Sequence, residues 1–171
     1  MKKILVLLVI SLNLSAAIWL APDHEHPSIA KADYGWMETS TKTWLNAYPV
    51  KDAKKFITEK ELTRYTKLKI RNVYKDLTFE KSLTKGTSLT TLGVELYKYP
   101  AKNVPIYYGL IFLEAYSPIE LRSKSKDYLY VMPITCHSSQ CKQIIKLIVN
   151  RLVEKFVDDT YYIQDLIKKN K

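Results

Sequence analysis

The strongest constraint on the fold of this chain is a change of hydrophobic periodicity along its second half. Three runs, at residues 92–99, 105–116 and 128–135, are rich in β-branched and aromatic residues and are bounded by Pro, Asn, Ser and Lys clusters. This pattern is typical of β-strands. The middle run is apolar on both faces, which predicts a central strand flanked by the other two. Short connections favour antiparallel neighbours, and a weaker strand is expected around residues 77–83.

Amphipathic helices are predicted on both sides of these strands. Thr58 and Glu61 have the order of a capping box, which predicts a helix from Thr58 to about Asn72. After Cys141 apolar residues recur at spacings of three and four, which predicts a long helix, either continuous or broken at residues 158–160. The expected fold is an α+β two-layer domain, an antiparallel meander of three to four strands covered by an N-terminal amphipathic helix and a long C-terminal helix.

The N-terminus has the order of a secretory signal peptide. Two lysines precede an apolar run that ends in small residues at positions 15–17, so we interpret residues 1–17 as a cleaved leader. The alternative is an uncleaved anchor, because the apolar stretch approaches the ~20 residues of a spanning helix. Either interpretation predicts a periplasmic or secreted protein, with no membrane span once the leader is cleaved. An extended arm is expected at residues 18–50 and a single α+β domain at residues 51–171.

The two cysteines of the chain, Cys136 and Cys141, lie where the last predicted strand leads into the C-terminal helix. An exported chain with two nearby cysteines favours a structural disulfide between them. A redox-active pair is one alternative, although the spacing is not that of the C-x-x-C motif. A metal site that includes His137 is another, although it would be one ligand short of a closed zinc site. Residues 24–26, His-Glu-His, also offer few ligands, so we expect no metal and no cofactor.

Tyrosines form the second candidate site. Alternate residues of a strand share one face, so two tyrosines of the first run and two of the third are expected on the outer face of the sheet. Exposed aromatic patches tend to mark partner surfaces. In the alternative, the arm folds Trp36 and Trp44 over this face and buries it. The candidate partner-binding residues are Tyr97, Tyr99, Tyr128 and Tyr130.

A basic segment is the third candidate site. Residues 51–75 carry nine Lys/Arg and three acids, so they hold much of the formal net charge, which falls from +10 to +8 when the leader is removed. On the predicted helix, five cations gather opposite the apolar side. This side is either a solvated helix face or a docking surface for an anionic envelope surface or partner. The candidate anionic-surface-binding residues are Lys60, Arg64, Lys67, Arg71 and Lys75.

No catalytic constellation emerges, because two of the three histidines lie in the predicted arm and the third lies between the cysteines. The leading hypothesis is an exported non-enzymatic binding or assembly protein of the cell envelope, acting through the tyrosine-rich sheet face and the basic helix. Nucleic acid is not expected as a partner, since an exported protein rarely meets it. One alternative is a carrier of a small apolar ligand between sheet and C-terminal helix. Another is a small secreted hydrolase that uses sheet carboxylates such as Glu95 and Glu114.

Overall fold

One mixed β-sheet organises the chain in this computed structural model, which describes residues 18–20, 34–36, 41–101, 103–118 and 128–169. The fold is α+β, with two helices and a sheet whose strand order is β1-β6-β5-β4-β2-β3. The elements, in chain order, are β1 (Ile18–Leu20), β2 (Lys42–Lys51), a 3₁₀ turn (Asp52–Lys55), α1 (Glu59–Val73), β3 (Thr78–Phe79), β4 (Ser88–Lys98), β5 (Ile106–Tyr116), β6 (Tyr128–His137) and α2 (Cys141–Lys168).

The sheet is larger than predicted and its strands are not all antiparallel. β4, β5 and β6 are antiparallel in sequence order, with Val94 opposite Ile111 and Ile111 opposite Met132. β2, however, lies parallel to β4, with Ala47 opposite Leu92. The prediction of an antiparallel meander of three to four strands is therefore wrong in strand number and in direction. Strand direction depends on how a connection crosses the sheet, which residue periodicity does not encode.

β2 comes from the stretch that the sequence predicted as an extended arm. Its alternate residues, including Thr43, Leu45 and Ala47, are buried, whereas the residues between them are half-buried. Pro49 obscured this alternation, because proline is excluded from central strands and tolerated at edges. The short β3 pairs only with Lys42 and Thr43, so most of β2 lies next to a single strand among the described residues.

α1 connects β2 to the strands that follow, so it is not the N-terminal element of the domain that the sequence analysis predicted. Parallel neighbours such as β2 and β4 need a crossover, and α1 lies within it. The helix begins after Thr58, whose hydroxyl oxygen accepts a hydrogen bond from the backbone N–H of Glu61 at 3.2 Å. It packs on β2 through Leu62, Thr66 and Ile70.

α2 is continuous from Cys141 to Lys168, through the residues where a break was considered. It packs on β5 and β6, beside α1. Both helices cover the same side of the sheet, and no helix of the described residues covers the other side. Neither helix in the described ranges combines the length and the apolar character needed to cross a membrane. Sheet residues that contribute to the buried core include Leu92, Val94, Leu96, Ile111, Leu113, Tyr130, Met132 and Ile134.

Candidate functional site

Four large apolar side chains remain exposed at the hairpin end of the two central strands of the sheet. Tyr97, Tyr99, Tyr108 and Leu110 expose 39%, 49%, 44% and 44% of their surface. They lie at the end of β4, in the connection that follows it and at the start of β5. We call these four residues the corner patch. Such a cluster is a candidate binding surface, because scattered single apolar residues are ordinary whereas contiguous ones tend to mark contacts.

Antiparallel pairing positions the corner patch. Tyr97 lies directly opposite Tyr108, with ring centroids 6.1 Å apart and ring planes tilted by 33°. The backbone N–H of Tyr99 donates to the carbonyl of Ile106 at 2.9 Å and closes the hairpin. The strand register thus places the rings of Tyr97 and Tyr108 side by side before any partner binds. These side chains therefore lose less conformational entropy on binding than free side chains would.

A second contact secures this corner from the side of β2. Asp52, in the 3₁₀ turn, accepts a hydrogen bond from the backbone N–H of Lys98 at 2.8 Å and pairs with Lys55 at 2.6 Å. The Lys55 ammonium, followed by the Lys98 N–H, holds the pKa of the Asp52 carboxyl below its ordinary value. The turn is therefore tied to the last residue of β4, immediately before Tyr99.

An open apolar groove adjoins the corner patch. It encloses about 440 Å³ and is lined by two of the patch tyrosines, two hairpin residues and two residues of the neighbouring strands. The volume lies within the range of small-ligand clefts, but the groove is shallow, as a surface that contacts another macromolecule would be. Its lining residues are Tyr99, Pro100, Val104, Ile106, Tyr108 and Thr135.

The four predicted partner-binding tyrosines do not lie together. Tyr97 and Tyr99 belong to the corner patch, and the side chain of Tyr128 lies outside the described part of the structure. Tyr130 is fully buried on the helix side of the sheet, so its prediction as an outer-face residue is wrong. Sequence analysis did not select Tyr108 and Leu110, because the central run is apolar at successive positions and does not show which residues face outward.

Tyr130 lies on the helix side of β6, where its hydroxyl finds an acceptor. It donates to Asp159 Oδ2 at 2.7 Å, and Lys155 Nζ donates to Asp159 Oδ1 at 2.5 Å. Asp159 is itself buried on α2. The residues adjacent to Tyr130 in β6, Leu129 and Val131, are only half-buried. The helix side of β6 thus carries Tyr130 together with Met132 and Ile134, and the buried phenol is tolerated there because it meets a carboxylate.

Two carboxylates lie near the corner patch on the same strands. Glu95 accepts a hydrogen bond from Tyr97, and Glu114 accepts one from Tyr116 at 2.6 Å. Glu95 is opposite Leu110 in the ladder, so Glu114 is four residues away along β5. Four residues correspond to about 13 Å along a strand. The facing carboxylate pair considered for a hydrolase is therefore not formed by direct pairing of these strands.

The centre of this sheet surface is aromatic. The ring of Tyr48 meets that of Phe112 edge to face, with centroids 6.2 Å apart. Phe112 lies over Gly93, where a Cβ atom would come within 2.1 Å of the ring. Burial raises the pKa of Tyr48, and the charges of Glu114 and Glu95 add to this effect. Tyr48 is therefore a neutral hydrogen-bonding group at neutral pH, not a phenolate.

The region between sheet and α2 is tightly packed. A cavity of about 10 Å³ lies there among residues that include Trp36, Tyr74 and Phe156. That volume holds about one water molecule, whereas clefts for small ligands measure roughly 300 Å³ or more. Trp36 is buried at this cavity, with 6% of its surface exposed. Its side chain therefore does not cover the corner patch, contrary to the alternative in which the arm folds Trp36 over the tyrosines. Trp44 is half-buried on β2.

The predicted basic residues lie on the outer side of α1 and just beyond its end. Lys60, Arg64, Arg71 and Lys75 are exposed, and Lys67 is half-buried. Lys67 and Arg71 both lie over the ring of Phe79, at 5.4 Å and 5.3 Å from its centroid. Sequence analysis missed Leu68, which exposes 56% of its surface among these cations. A helical projection places Leu68 near the pole opposite the buried stripe, and that signal could have identified it.

α1 contains two acidic residues: Glu59, which is exposed beside the cations at the start of the helix, and Glu61, which is paired with lysines of α2. Glu61 pairs with Lys142 at 3.0 Å and with Lys146 at 2.8 Å. Hydrogen bonds from Lys146 and Lys142 hold the pKa of the Glu61 carboxyl below its ordinary value. Tyr65 also joins the helices, because its hydroxyl donates to the carbonyl of Lys146 at 3.2 Å. The outward charge of α1 is therefore positive.

The predicted disulfide is confirmed. Cys136 and Cys141 are bonded to each other and fully buried, at the joint between β6 and α2. His137 is exposed, and its Nδ1 lies 2.8 Å from the hydroxyl of Ser139. Among the described residues, no three His, Cys, Asp or Glu side chains gather in a way that could hold a metal ion. Residues 24–26, considered as metal ligands, lie outside the described residues.

No protein-family model matches the chain, and a search of curated proteins finds no match to it. The interpretation of the corner patch and of α1 therefore rests on the residues and contacts of this chain.

Proposed function

We propose that the protein is a non-enzymatic binding or assembly protein of the cell envelope, and that the corner patch is its contact surface for a protein partner. The observation that carries this proposal is the clustering of Tyr97, Tyr99, Tyr108 and Leu110, all substantially exposed, beside an apolar groove. Burial of apolar surface away from water is favourable. A partner that covers these four side chains would therefore gain binding free energy from their burial.

The composition of the corner patch suits a protein contact. Tyrosine is enriched at interfaces, because its ring contributes apolar area while its hydroxyl can still donate or accept a hydrogen bond. Tyr97 already donates to Glu95, which raises the pKa of its phenol and keeps it neutral. Pro100 and Pro105 restrict the backbone at both ends of the hairpin connection. A rigid aromatic surface of this kind loses little conformational entropy on binding.

The disulfide supports an envelope setting. Structural disulfides persist in oxidising compartments such as the periplasm and the extracellular space, and they are rare in the cytosol. Cys136 and Cys141 are paired and fully buried. The leader predicted at residues 1–17 agrees with export, and those residues lie outside the described part of the structure.

The basic side of α1 provides a second contact in this proposal, to an anionic envelope surface. It lies in the helix layer, whereas the corner patch lies in the strands that the helices cover from one side only. The protein would thus join two partners of different chemistry. The residues assigned to the anionic contact are Lys60, Arg64, Lys67, Arg71 and Lys75.

Site-specific photocrosslinking tests the corner patch. A photoreactive phenylalanine analogue at Tyr99 should give one discrete crosslinked species in envelope preparations. The same analogue at Tyr162, which exposes a similar 50% of its surface on α2, should not. Adding Tyr97→Ala and Tyr108→Ala should reduce the Tyr99 crosslink at least tenfold, because central aromatic anchors carry most of the energy of an interface.

The control for this experiment is the thermal unfolding midpoint of each variant. Both tyrosines that are replaced are exposed, so their loss should leave the midpoint close to that of the wild type. Equal crosslinking from Tyr99 and Tyr162, or a Tyr99 crosslink that the two alanine substitutions do not weaken, would contradict the proposed contact surface.

A further inference from the structure

Leu68 is an apolar residue in an unexpected position. It exposes 56% of its surface, the largest fraction among the exposed large hydrophobic residues of the described chain. α1 buries Leu62, Thr66 and Ile70 against the sheet. At about 100° per residue, Leu68 lies about 160° around the helix from Thr66, so it points away from that contact. The side chain therefore contributes little to the core of this protein.

Cations surround Leu68 on the outer side of α1. Arg64 precedes it by four residues and Arg71 follows it by three, spacings that bring side chains together on a helix surface. Lys60 extends the same side by one turn. Phe79 lies beneath the ammonium group of Lys67 and the guanidinium group of Arg71, so their positions are partly fixed. The result is an apolar centre within a positively charged rim.

We infer that α1 docks the protein on an anionic phospholipid bilayer, with the helix lying flat and Leu68 inserted below the level of the headgroups. This inference deepens the anionic contact of the proposed function and rests on it. Interfacial helices combine an apolar side chain that enters the acyl boundary with cations that remain among anionic headgroups. α1 is about 22 Å long, so its cations would span several lipids.

The apolar centre distinguishes a bilayer from other anionic partners. A soluble polyanion, such as an acidic glycan or a nucleic acid, would pair with the cations but would leave Leu68 in water. A bilayer satisfies both, because headgroup charge and hydrocarbon lie within a few ångströms of each other. The chain also carries a formal net charge of +10, so its overall field favours approach to an anionic surface.

α1 suits this contact better than α2 does. From Glu154 onward, the exposed residues of α2 include Glu154, Asp158 and Asp165, which an anionic surface would repel. In α1, Glu61 is paired with two lysines, and the one other acid, exposed Glu59, is outnumbered by the five Lys and Arg residues of the helix. Docking through the helix layer would leave the other side of the sheet, which no helix of the described residues covers, facing the aqueous phase. The corner patch would then remain accessible to a protein partner.

Vesicle co-sedimentation of the full chain tests the electrostatic part of this inference. Vesicles of phosphatidylcholine mixed with phosphatidylglycerol should bind the protein, and binding should weaken as salt is added. Lys60→Gln/Arg64→Gln/Arg71→Gln should weaken binding by about a hundredfold, since each cation near an anionic leaflet contributes about fivefold. The matched control, Lys81→Gln/Lys85→Gln/Lys98→Gln, removes three exposed cations from other elements and should weaken binding less than tenfold.

A local probe tests the insertion of Leu68. An environment-sensitive fluorophore attached at Leu68→Cys should shift its emission to the blue and become protected from aqueous iodide when mixed vesicles are added. The same label at Leu147→Cys, on α2, should stay accessible, although Leu147 is also 44% exposed. The label reports only its own surroundings, so an apolar leader that inserts elsewhere would not produce the signal.

The outcomes separate this inference from the partner proposal. Equal binding to phosphatidylcholine alone, an unshifted label at position 68, or equal loss of affinity in the two triple variants would overturn bilayer docking by α1. Strong binding to soluble heparin together with no vesicle binding would also overturn it, and would point to a glycan. The Tyr99 crosslink, measured without lipid, reports on the corner patch alone and should persist in the Lys60→Gln/Arg64→Gln/Arg71→Gln variant.

Discussion

The two helices of this protein lie next to each other on the same side of the sheet, but they use that position differently. α2 has 28 residues and buries 13 of them, so it provides most of the apolar surface that closes the core from the helix side. α1 has 15 residues and buries three, and its outer side carries Lys60, Arg64, Leu68 and Arg71. A narrow buried stripe is sufficient to hold α1 in place, which leaves its remaining surface available for binding.

The contacts between the helices agree with this division. At one end Glu61 of α1 pairs with Lys146 of α2, and at the other Gln164 of α2 donates to the hydroxyl of Tyr74 at 3.0 Å. Polar contacts of this kind position α1 beside α2 without committing its outer side to the core. Substitutions in α2 should therefore change the free energy of unfolding, whereas substitutions on the outer side of α1 should change binding.

The largest effect is expected from a core residue of α2. Leu152 is fully buried, so Leu152→Ala should lower the free energy of unfolding by about 3 kcal/mol through lost apolar burial and the cavity that remains. Leu68→Ala makes the same chemical change on the exposed side of α1 and should cost no more than about 0.5 kcal/mol. Urea unfolding of both variants measures the difference. Similar costs would refute the division of roles.

The buried carboxylate of α2 should rank next. Asp159→Ala removes the acceptor of the Tyr130 hydroxyl and the ion-pair partner of Lys155, at a cost of about 2 to 3 kcal/mol. Asp158→Ala is the matched control, because the neighbouring carboxylate is exposed and its loss should cost about 0.5 kcal/mol or less. If the two substitutions lower the free energy of unfolding equally, the Tyr130–Asp159 contact stabilises the protein no more than an exposed carboxylate does.

The disulfide should have a smaller and more local effect. Cys136→Ala/Cys141→Ala should lower the free energy of unfolding by about 2 kcal/mol, because the bond closes a short loop and restricts the unfolded chain only modestly. Amide hydrogen exchange should accelerate in the first turns of α2 more than in α1. The non-reduced, denatured wild type should show no free thiol, and two thiols would contradict the pairing.

The smallest effect concerns the charged contact between the helices. Glu61→Gln should lower stability at neutral pH by about 1 kcal/mol or less, as for exposed ion pairs. The pKa of Glu61 is lower in the folded than in the unfolded chain, so its contribution is complete above the unfolded pKa, about 4.3, and is lost as the pH falls through the folded value. Unfolding of both proteins at several pH values should show their difference vanish in acid. A difference that persists there would indicate another cause.

Sequence patterns predicted the local elements well where the signal lay within a few residues. The capping pattern of Thr58 and Glu61 identified the start of α1, and the spacing of apolar residues identified α2. Residue identity also indicated the pairing of Cys136 with Cys141, because export and proximity both favour it. β2 was missed, since Pro49 argues against a paired strand, although it is buried in phase with Leu45 and Ala47 where β2 lies beside β4.

The candidate site was predicted only in part. Tyr97 and Tyr99 are exposed as expected, but Tyr130 is buried, and Tyr108 joined the surface from the middle run. Alternation shows which residues of a strand share a face, but it does not show which face meets the helices. In β6 the inward face holds Tyr130, Met132 and Ile134, and the acceptor of the Tyr130 hydroxyl, Asp159, lies on another element.

Residue order alone was sufficient to predict the helix start at Thr58, the amphipathic course of α2, the joint between Cys136 and Cys141, and the basic side of α1. Each of these depends on interactions among neighbouring residues, or on a periodicity that a single element expresses. Long-range packing was needed to show that β2 lies parallel to β4, that Tyr130 faces inward, and that four exposed side chains lie together in the corner patch. These features depend on the direction and register of strands distant in sequence, and those are selected by the packing of the whole sheet against its helices.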